Sequence, residues 1–404
     1  MANTIVLENL LQKETIKLKD KLTVIKQVAN TKYQGDLKQQ GDTVTVQTFP
    51  NHFGNMGGTA GDDITLDDWA ITGEQLTVDQ VFQNGAKVKD IEEVQSNLSL
   101  IGQLSNRYAF SSALNEDQYI ASFFTDALTD NKAGNQSPIS LGVSNTYSTV
   151  TDLKRRLSEQ NAFQSRMLFV SPAIHEKFRL ENILDSSNLG LETRLNGEVG
   201  RIDGFRVMET NNLPHVITHT VDTQPTNGDT FSITGRIKTT SGTGGYANQT
   251  VTFTIVTAGT ASSAGDISLG ATLADTQANI VNAINGTGTP GASTYIEISA
   301  ANRVALKNGF VQSTAFTSNV ATIRSAITMP TAETYTAGTN VFGSDAVLMA
   351  AVDMEAINYV SQMDKFKVRD REQGFAANIL QERVYGGKVF AENSKGIATA
   401  EIAV

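Results

Sequence analysis

The sequence has no cysteine. That one absence removes a disulfide framework, a thiolate metal site and a cysteine nucleophile. Proline is scarce, 7 in 404 residues, so helical and strand patterns run long before anything interrupts them. The apolar runs are only a few residues each, which excludes a membrane span of about 20 residues. The start, Met1-Ala2-Asn3-Thr4-Ile5, lacks the basic-then-apolar design of a signal peptide. A formal net charge of −10 argues against a dedicated nucleic-acid binder. A chain of 404 residues can nevertheless bury a sizeable core in two or three domains.

What is there begins with a long helical pattern. From Lys89 to about Asp130, Ile91, Val94, Leu98, Ile101 and Leu104 recur at helical spacing, and Phe110, Leu114, Ala121, Phe124 and Leu128 continue the run. Asp90, Glu92 and Glu93 stand in the opening turn, where the helix dipole favours negative charge. Asn131 and Gly134 supply stop signals at the far end. Unbroken, roughly 40 residues at about 1.5 Å rise give a rod of about 60 Å. A rod of that length organises an assembly rather than a small core.

The segments before it do not make compact domains. Ile5, Leu7, Leu10 and Leu11 lead into Ile16, Leu18, Leu22, Ile25 and Val28, interleaved with Lys13, Lys17, Lys19, Lys21 and Lys26. This is a basic amphipathic arm whose apolar side needs a partner surface; the plainer reading is a first helix docked on its own domain. Thr43-Val44-Thr45-Val46-Gln47 then alternates with period two, and Glu74 to Asp79 answers it as the second strand of a hairpin. Between them lies a turn-rich tip, Gly54 to Gly61, followed by Asp62, Asp63, Asp67 and Asp68. Two strands alone are marginal in water, so this hairpin is expected to lean on something outside the monomer.

The rest reads as an α/β body with an insertion. Thr149 to Asn161 is a short helix, Met167-Leu168-Phe169-Val170 a buried strand, and Ser171-Pro172 the cap and first position of a helix reaching about Leu184. Gly204 to Met208 is a further strand before Asn211-Asn212-Leu213-Pro214. From Val221 to about Asn340 charge thins and Thr, Ser, Gly and Ala dominate. Phe231 to Thr234 and Val251 to Ile255 alternate as half-buried antiparallel strands. Thr272 caps a helix with Asp275 in its first turn, Ile280, Val281 and Ile284 on one face, and Gly286 at its end. Val347 to Val352 restores the buried-strand character. Residues 222–341 are therefore expected to be a separately folding, mostly β domain. The strands around Val207 and Val347 are expected to pair as though it were absent.

This order resembles the major capsid proteins of tailed bacteriophages with the Hong Kong 97-type fold, and is similar above all to the podovirus coat-protein group with an inserted domain. The local stretches that carry it are Leu76 to Val88, Met167 to Lys177, Gly200-Arg201-Ile202-Asp203-Gly204-Phe205 leading to Leu213-Pro214, and Gly374 to Phe390 with Tyr385-Gly386-Gly387-Lys388-Val389-Phe390. The resemblance implies an α+β fold divided into an N-terminal arm (1–40), an extended loop (41–87) and a peripheral domain with the spine helix (88–135 and 366–404). An axial domain (136–221 and 342–365) and the inserted β-rich domain (222–341) complete it. It further implies self-assembly into hexamers and pentamers of an icosahedral head shell enclosing double-stranded DNA, through ring-closing head-to-tail contacts. Scaffolding protein, portal protein and decoration proteins are the implied partners. Assembly would take place in the host bacterial cytoplasm, with weak non-specific contact to the packaged DNA and no membrane. In such proteins the arm and loop lie on neighbouring subunits. Ile5, Leu7, Leu10, Leu11, Lys13, Lys17, Asp62, Asp63, Asp67 and Asp68 are thus the expected inter-subunit contacts.

Chemistry-bearing candidates are sparse by comparison. Gly54 to Gly61 lacks the Gly-Lys-Ser/Thr ending of a phosphate loop. His215 and His219 share one side of a strand, without a third His or Cys nearby to complete a metal site. Asp62, Asp63, Asp67 and Asp68 miss the calcium-loop pattern. The reading is non-enzymatic, with no catalytic residue, cofactor or metal. The alternative from another class is a surface adhesin or tail/display structural protein built around the β-rich segment; the basic arm and spine helix speak against it.

Overall fold

The computed structural model describes residues 23–35, 42–48, 71–89, 100–134, 137–142, 144–162, 165–180, 198–239, 245–329, 331–370 and 376–403. In chain order its elements are β1 (Thr43–Thr48), β2 (Thr72–Thr77), β3 (Gln80–Lys89), α1 (Leu100–Ser122), α2 (Thr146–Glu159), β4 (Arg166–Val170), α3 (Pro172–Leu180), β5 (Glu198–Ile202), β6 (Phe205–Glu209) and β7 (His215–Thr220). They continue as β8 (Thr230–Lys238), β9 (Tyr246–Val256), β10 (Asp266–Ser268), α4 (Leu273–Asn285), α5 (Ala300–Asn308), β11 (Val320–Ser325), β12 (Ala346–Asp353), β13 (Ile357–Asp370), β14 (Ala376–Lys388) and β15 (Ile397–Ala403). The chain divides into two units. One gathers Ala29–Ser112 and Ile357–Ala391; the other gathers the segment ending at Val28, Ala113–Ala356 and Glu392–Val404.

In the first unit, Ala29–Asn30, β13, β14 and β3 form a four-stranded sheet in that order. β14 pairs antiparallel with both long neighbours, so Ile379 lies beside Ala86 on one side and Val368 on the other. Tyr108 of α1 packs on Val88 and Ile379. The hairpin is present, with Val44 opposite Leu76 and Val46 opposite Glu74. Its base does not wait for an outside partner. Leu76 and Val78 are fully buried against Val360, Val384 and Phe390 of the same unit. The fit is close: a Cβ on Gly386 would stand 2.2 Å from the Thr77 carbonyl oxygen. Glycine in a strand interior marks such an approach of one backbone to another.

The second unit is built around a ten-stranded sheet. Its central strand, β12, is buried at all eight positions, as a strand covered on both faces must be. β15 runs along one edge of β12, while β4 and β7 share the other. Val150, Leu153 and Leu157 of α2 and Ile174 and Phe178 of α3 bring their apolar sides into the core with Phe205, Val207 and Met349. Pro172 opens α3, where its missing N–H costs nothing, and the Ser171 hydroxyl accepts from the Ile174 amide at 3.4 Å. The strands around Val207 and Val347 are not direct neighbours. The α3 crossover lays β6 parallel to β4, which leaves β4 between β6 and β12.

The β-rich segment has its own layer. Phe231 faces Phe253 and Ile233 faces Val251 across β8 and β9. α4 carries the expected capping box, Thr272 with Asp275, and ends at Gly286 with φ of +67°. The segment also joins the body: β11 pairs antiparallel with β7 over six residues, and Ile217 and Val221 belong to the same apolar cluster as Phe231 and Ile280.

The long helix stops short of the Asp130 end that its apolar period suggests. Lys89 is still in strand, paired with Ala376, and α1 as described runs Leu100–Ser122, 23 residues. It ends in 3-10 turns because hydroxyls compete for the backbone there: Ser122 donates to the Tyr119 carbonyl at 2.7 Å and Thr125 to that of Ser122 at 2.8 Å. Asn131 is not a helix stop. It is buried and donates to the Lys395 and Ile397 carbonyls, tying the start of β15 in place.

Candidate functional site

Four consecutive polar residues of α1, Asn115, Glu116, Asp117 and Gln118, are all buried. Charged and amide side chains enter a protein interior only when partnered, and here the partners come from three separate stretches of chain. Asp117 Oδ1 accepts from the backbone amides of Ile25 and Lys26 at 2.7 and 3.3 Å, and its Oδ2 accepts from Asn212 Nδ2 at 2.8 Å. Glu116 pairs with the Lys26 ammonium at 2.5 Å. Gln118 Oε1 accepts from Arg236 of β8 at 2.6 Å. One turn further, Arg324 of β11 donates to the Ser122 carbonyl and the Thr125 hydroxyl, both at 2.7 Å.

The end of α1 is therefore a junction. It pins the root of the N-terminal segment, the loop before β7 and two strands, β8 and β11, of the β-rich segment. Burial pushes the Asp117 carboxyl up to about 6, opposed by the Asn212 side chain and the Ile25 and Lys26 amides. Sequence periodicity missed this junction, because it reads a polar run as a solvated face. The available signal was a full turn of polar residues, covering every side of the helix at once.

The apolar side of the arm's root likewise has its partner inside the chain: Val24, Ile25 and Val28 are buried. Ile5, Leu7, Leu10, Leu11, Lys13, Lys17, Asp62, Asp63, Asp67 and Asp68 lie outside the described residues, as do Ile91, Val94 and Leu98.

Two surfaces stand open. In the first unit, β3, β13 and β14 enclose a shallow cavity of about 520 Å³. Lys367 and Arg369 line it beside the exposed Leu380, while Gln83 donates to Glu382 at 2.7 Å. In the second unit a mostly apolar cavity of about 360 Å³ lies between Pro172, Ile174, Leu213, Val347 and Ile402, with Lys177 and His215 among its lining.

The three described histidines do not converge on anything. His215 pairs with Asp345 at 2.9 Å, whereas His219 meets the Tyr335 hydroxyl at 2.8 Å inside a box of aromatic rings. Burial pulls the His219 imidazole down to about 3. His175 binds Glu209 through Nδ1 at 2.5 Å, four residues after Ser171. Its Nε2 meets no hydroxyl among the described residues, so these three groups form no nucleophile relay. No group of three or more metal-ligating side chains occurs among the described residues, and none of their helices is long and apolar enough to cross a membrane.

No protein-family model and no curated protein matches the sequence. Solved structures do match, along almost the whole chain. A chain from a structure of Mycobacterium phage Che8 superposes with a TM-score of 0.55 at 16% identity, over 99% of this chain and 98% of that one. The capsid of Ralstonia phage GP4 gives 0.53 at 9% identity, over 100% and 98%. The capsid structure of cyanophage P-SCSP1u gives 0.51 at 11%, over 98% and 93%. The protein has the fold of a phage capsid subunit.

Proposed function

We propose that this protein is the major capsid protein of a tailed bacteriophage, of the Hong Kong 97-type with an inserted β-rich domain. It acts by self-assembly and not by catalysis. One observation carries the reading: the likeness to phage capsid structures runs along nearly the whole of both chains. The buried junction on α1 supports it, since a shell subunit must hold arm, body and insert in one register while each meets different neighbours.

In this reading hexamers and pentamers close into an icosahedral head around double-stranded DNA, with scaffolding and portal proteins as assembly partners and decoration proteins as ligands of the outer surface. The arm's Ile5, Leu7, Leu10 and Leu11 supply apolar contacts to a neighbouring subunit. The acidic run Asp62, Asp63, Asp67 and Asp68 suits the Lys367–Arg369 face of another copy. Each exposed pair adds only about 0.2–1 kcal/mol, so the effect arises as a sum over many copies and weakens in salt.

The arm provides the test. Because Val24, Ile25 and Val28 are core residues, the deletion stops short of them, at 2–22. The shortened chain should melt cooperatively, as the full chain does, yet form no closed shells in electron micrographs. Closed shells from the deleted chain would remove the arm from the assembly mechanism.

A further inference from the structure

Asp117 sits where a helix-capping residue would, but it belongs to a different element. Its Oδ1 faces the first amides of the 3-10 turn Ile25–Val28, and its Oδ2 faces Asn212. The Asp117 side chain lies in the interior, at 1% exposure, and Ile25 and Asn212 beside it are buried as well. We propose that Asp117 is a proton-sensitive clasp, holding the root of the N-terminal segment to the spine helix and gripping more tightly when its carboxyl is neutral.

The direction follows from the site. A carboxylate buried on α1 gives up its hydration, and three hydrogen bonds return only part of it. When the root peels away, water reaches the group and its ordinary acidity returns. Proton uptake therefore favours the closed state, and the clasp weakens as pH rises through the titration of the buried form. The charges around it do not reverse this sign. On the 3-10 turn the only one is Lys26, already paired with Glu116 of the same helix. From the inserted segment Arg236 is committed to Gln118. The loop before β7 presents the neutral Asn212 and Thr210. A neutral carboxyl still accepts from both amides through its carbonyl oxygen, so closure keeps those bonds while losing the desolvation cost.

Hydrogen exchange on the full chain, read for peptides covering 23–35 and corrected for intrinsic rates, tests the clasp. Protection there should rise about tenfold between about pH 7.5 and about pH 5, with the α2 peptides as an unchanging reference. Asp117→Asn, neutral at every pH, should abolish the step; Glu116→Gln should retain it. A flat wild-type profile overturns the proposal and decides the matter even if Asp117→Asn does not fold. So does a step that survives in Asp117→Asn, or one lost in Glu116→Gln but kept in Asp117→Asn. None of these outcomes depends on shell formation, so the clasp and the capsid reading stand or fall separately.

Discussion

His219 carries a titratable ring into a box of aromatic side chains, stacked on Phe342 with centroids 4.1 Å apart and flanked by Phe231, Phe316 and Tyr335. The ring is fully buried, and the Tyr335 hydroxyl meets only one of its nitrogens. A charged imidazole has no counter-ion there, which is why burial takes its titration down to about 3. For a histidine the sign is then fixed. The unfolded chain binds a proton near pH 6.5 while the folded one stays neutral, so stability is lost as pH falls from there towards 3. By about pH 5 the loss from this one group is about 2 kcal/mol. His219→Phe should fit the aromatic box and remove that part of the acid sensitivity. Melting curves at about pH 7.5 and about pH 5 should converge in the variant relative to wild type; an unchanged gap would mean that the ring is not the acid-labile group.

At the scale of elements, the hairpin root and the inserted segment decide what the sequence could reveal. The pair Gly386-Gly387 was visible as part of a resemblance, but its physical reason appears only in the fold, where Gly386 passes Thr77 and Val78 too closely for any side chain. Gly386→Ala should force β14 from β2 at a cost of about 1–3 kcal/mol, read as a lowered melting temperature. Wild-type stability in that variant would show that the hairpin root has slack.

Alternation and capping were legible in β8, β9 and α4 because those elements follow local rules: Phe231 and Ile233 point one way, and Thr272 finds Asp275 three residues on. The junction of Asp117 with Ile25 and Asn212 was not legible, since its partners lie 92 and 95 residues away in sequence. Neither was the edge between β11 and β7, because a six-residue strand rich in Val, Ile and Thr gives no sign of which neighbour it will join. That edge bears on how the inserted segment folds. A fragment spanning 215–345 retains β7, Ile217 and Val221, and should melt cooperatively as a separately folding domain. The shorter 222–341 should be less stable, because it removes the β7 ladder and leaves β11 only its short pairing with Gln312 and Ser313. Equal melting of the two fragments would show that the β7 edge adds nothing, and disorder in both would show that the segment depends on the body.

For the whole molecule, the account rests on a division of labour between what is buried and what is left for neighbours. β12, β15 and the α2 and α3 helices complete a core without help, while the hairpin base and the arm root are held by their own units. Among the described residues, what is left open is the face around Leu380 and the cavity beside Ile402, surfaces that a subunit repeated many times in a closed lattice could cover with its neighbours. Negative-stain electron microscopy of the full chain, expressed alone and with a candidate scaffolding protein, tests this most directly. Closed shells or polyheads built from rings of subunits are the predicted result; soluble monomers or trimers under both conditions would contradict it.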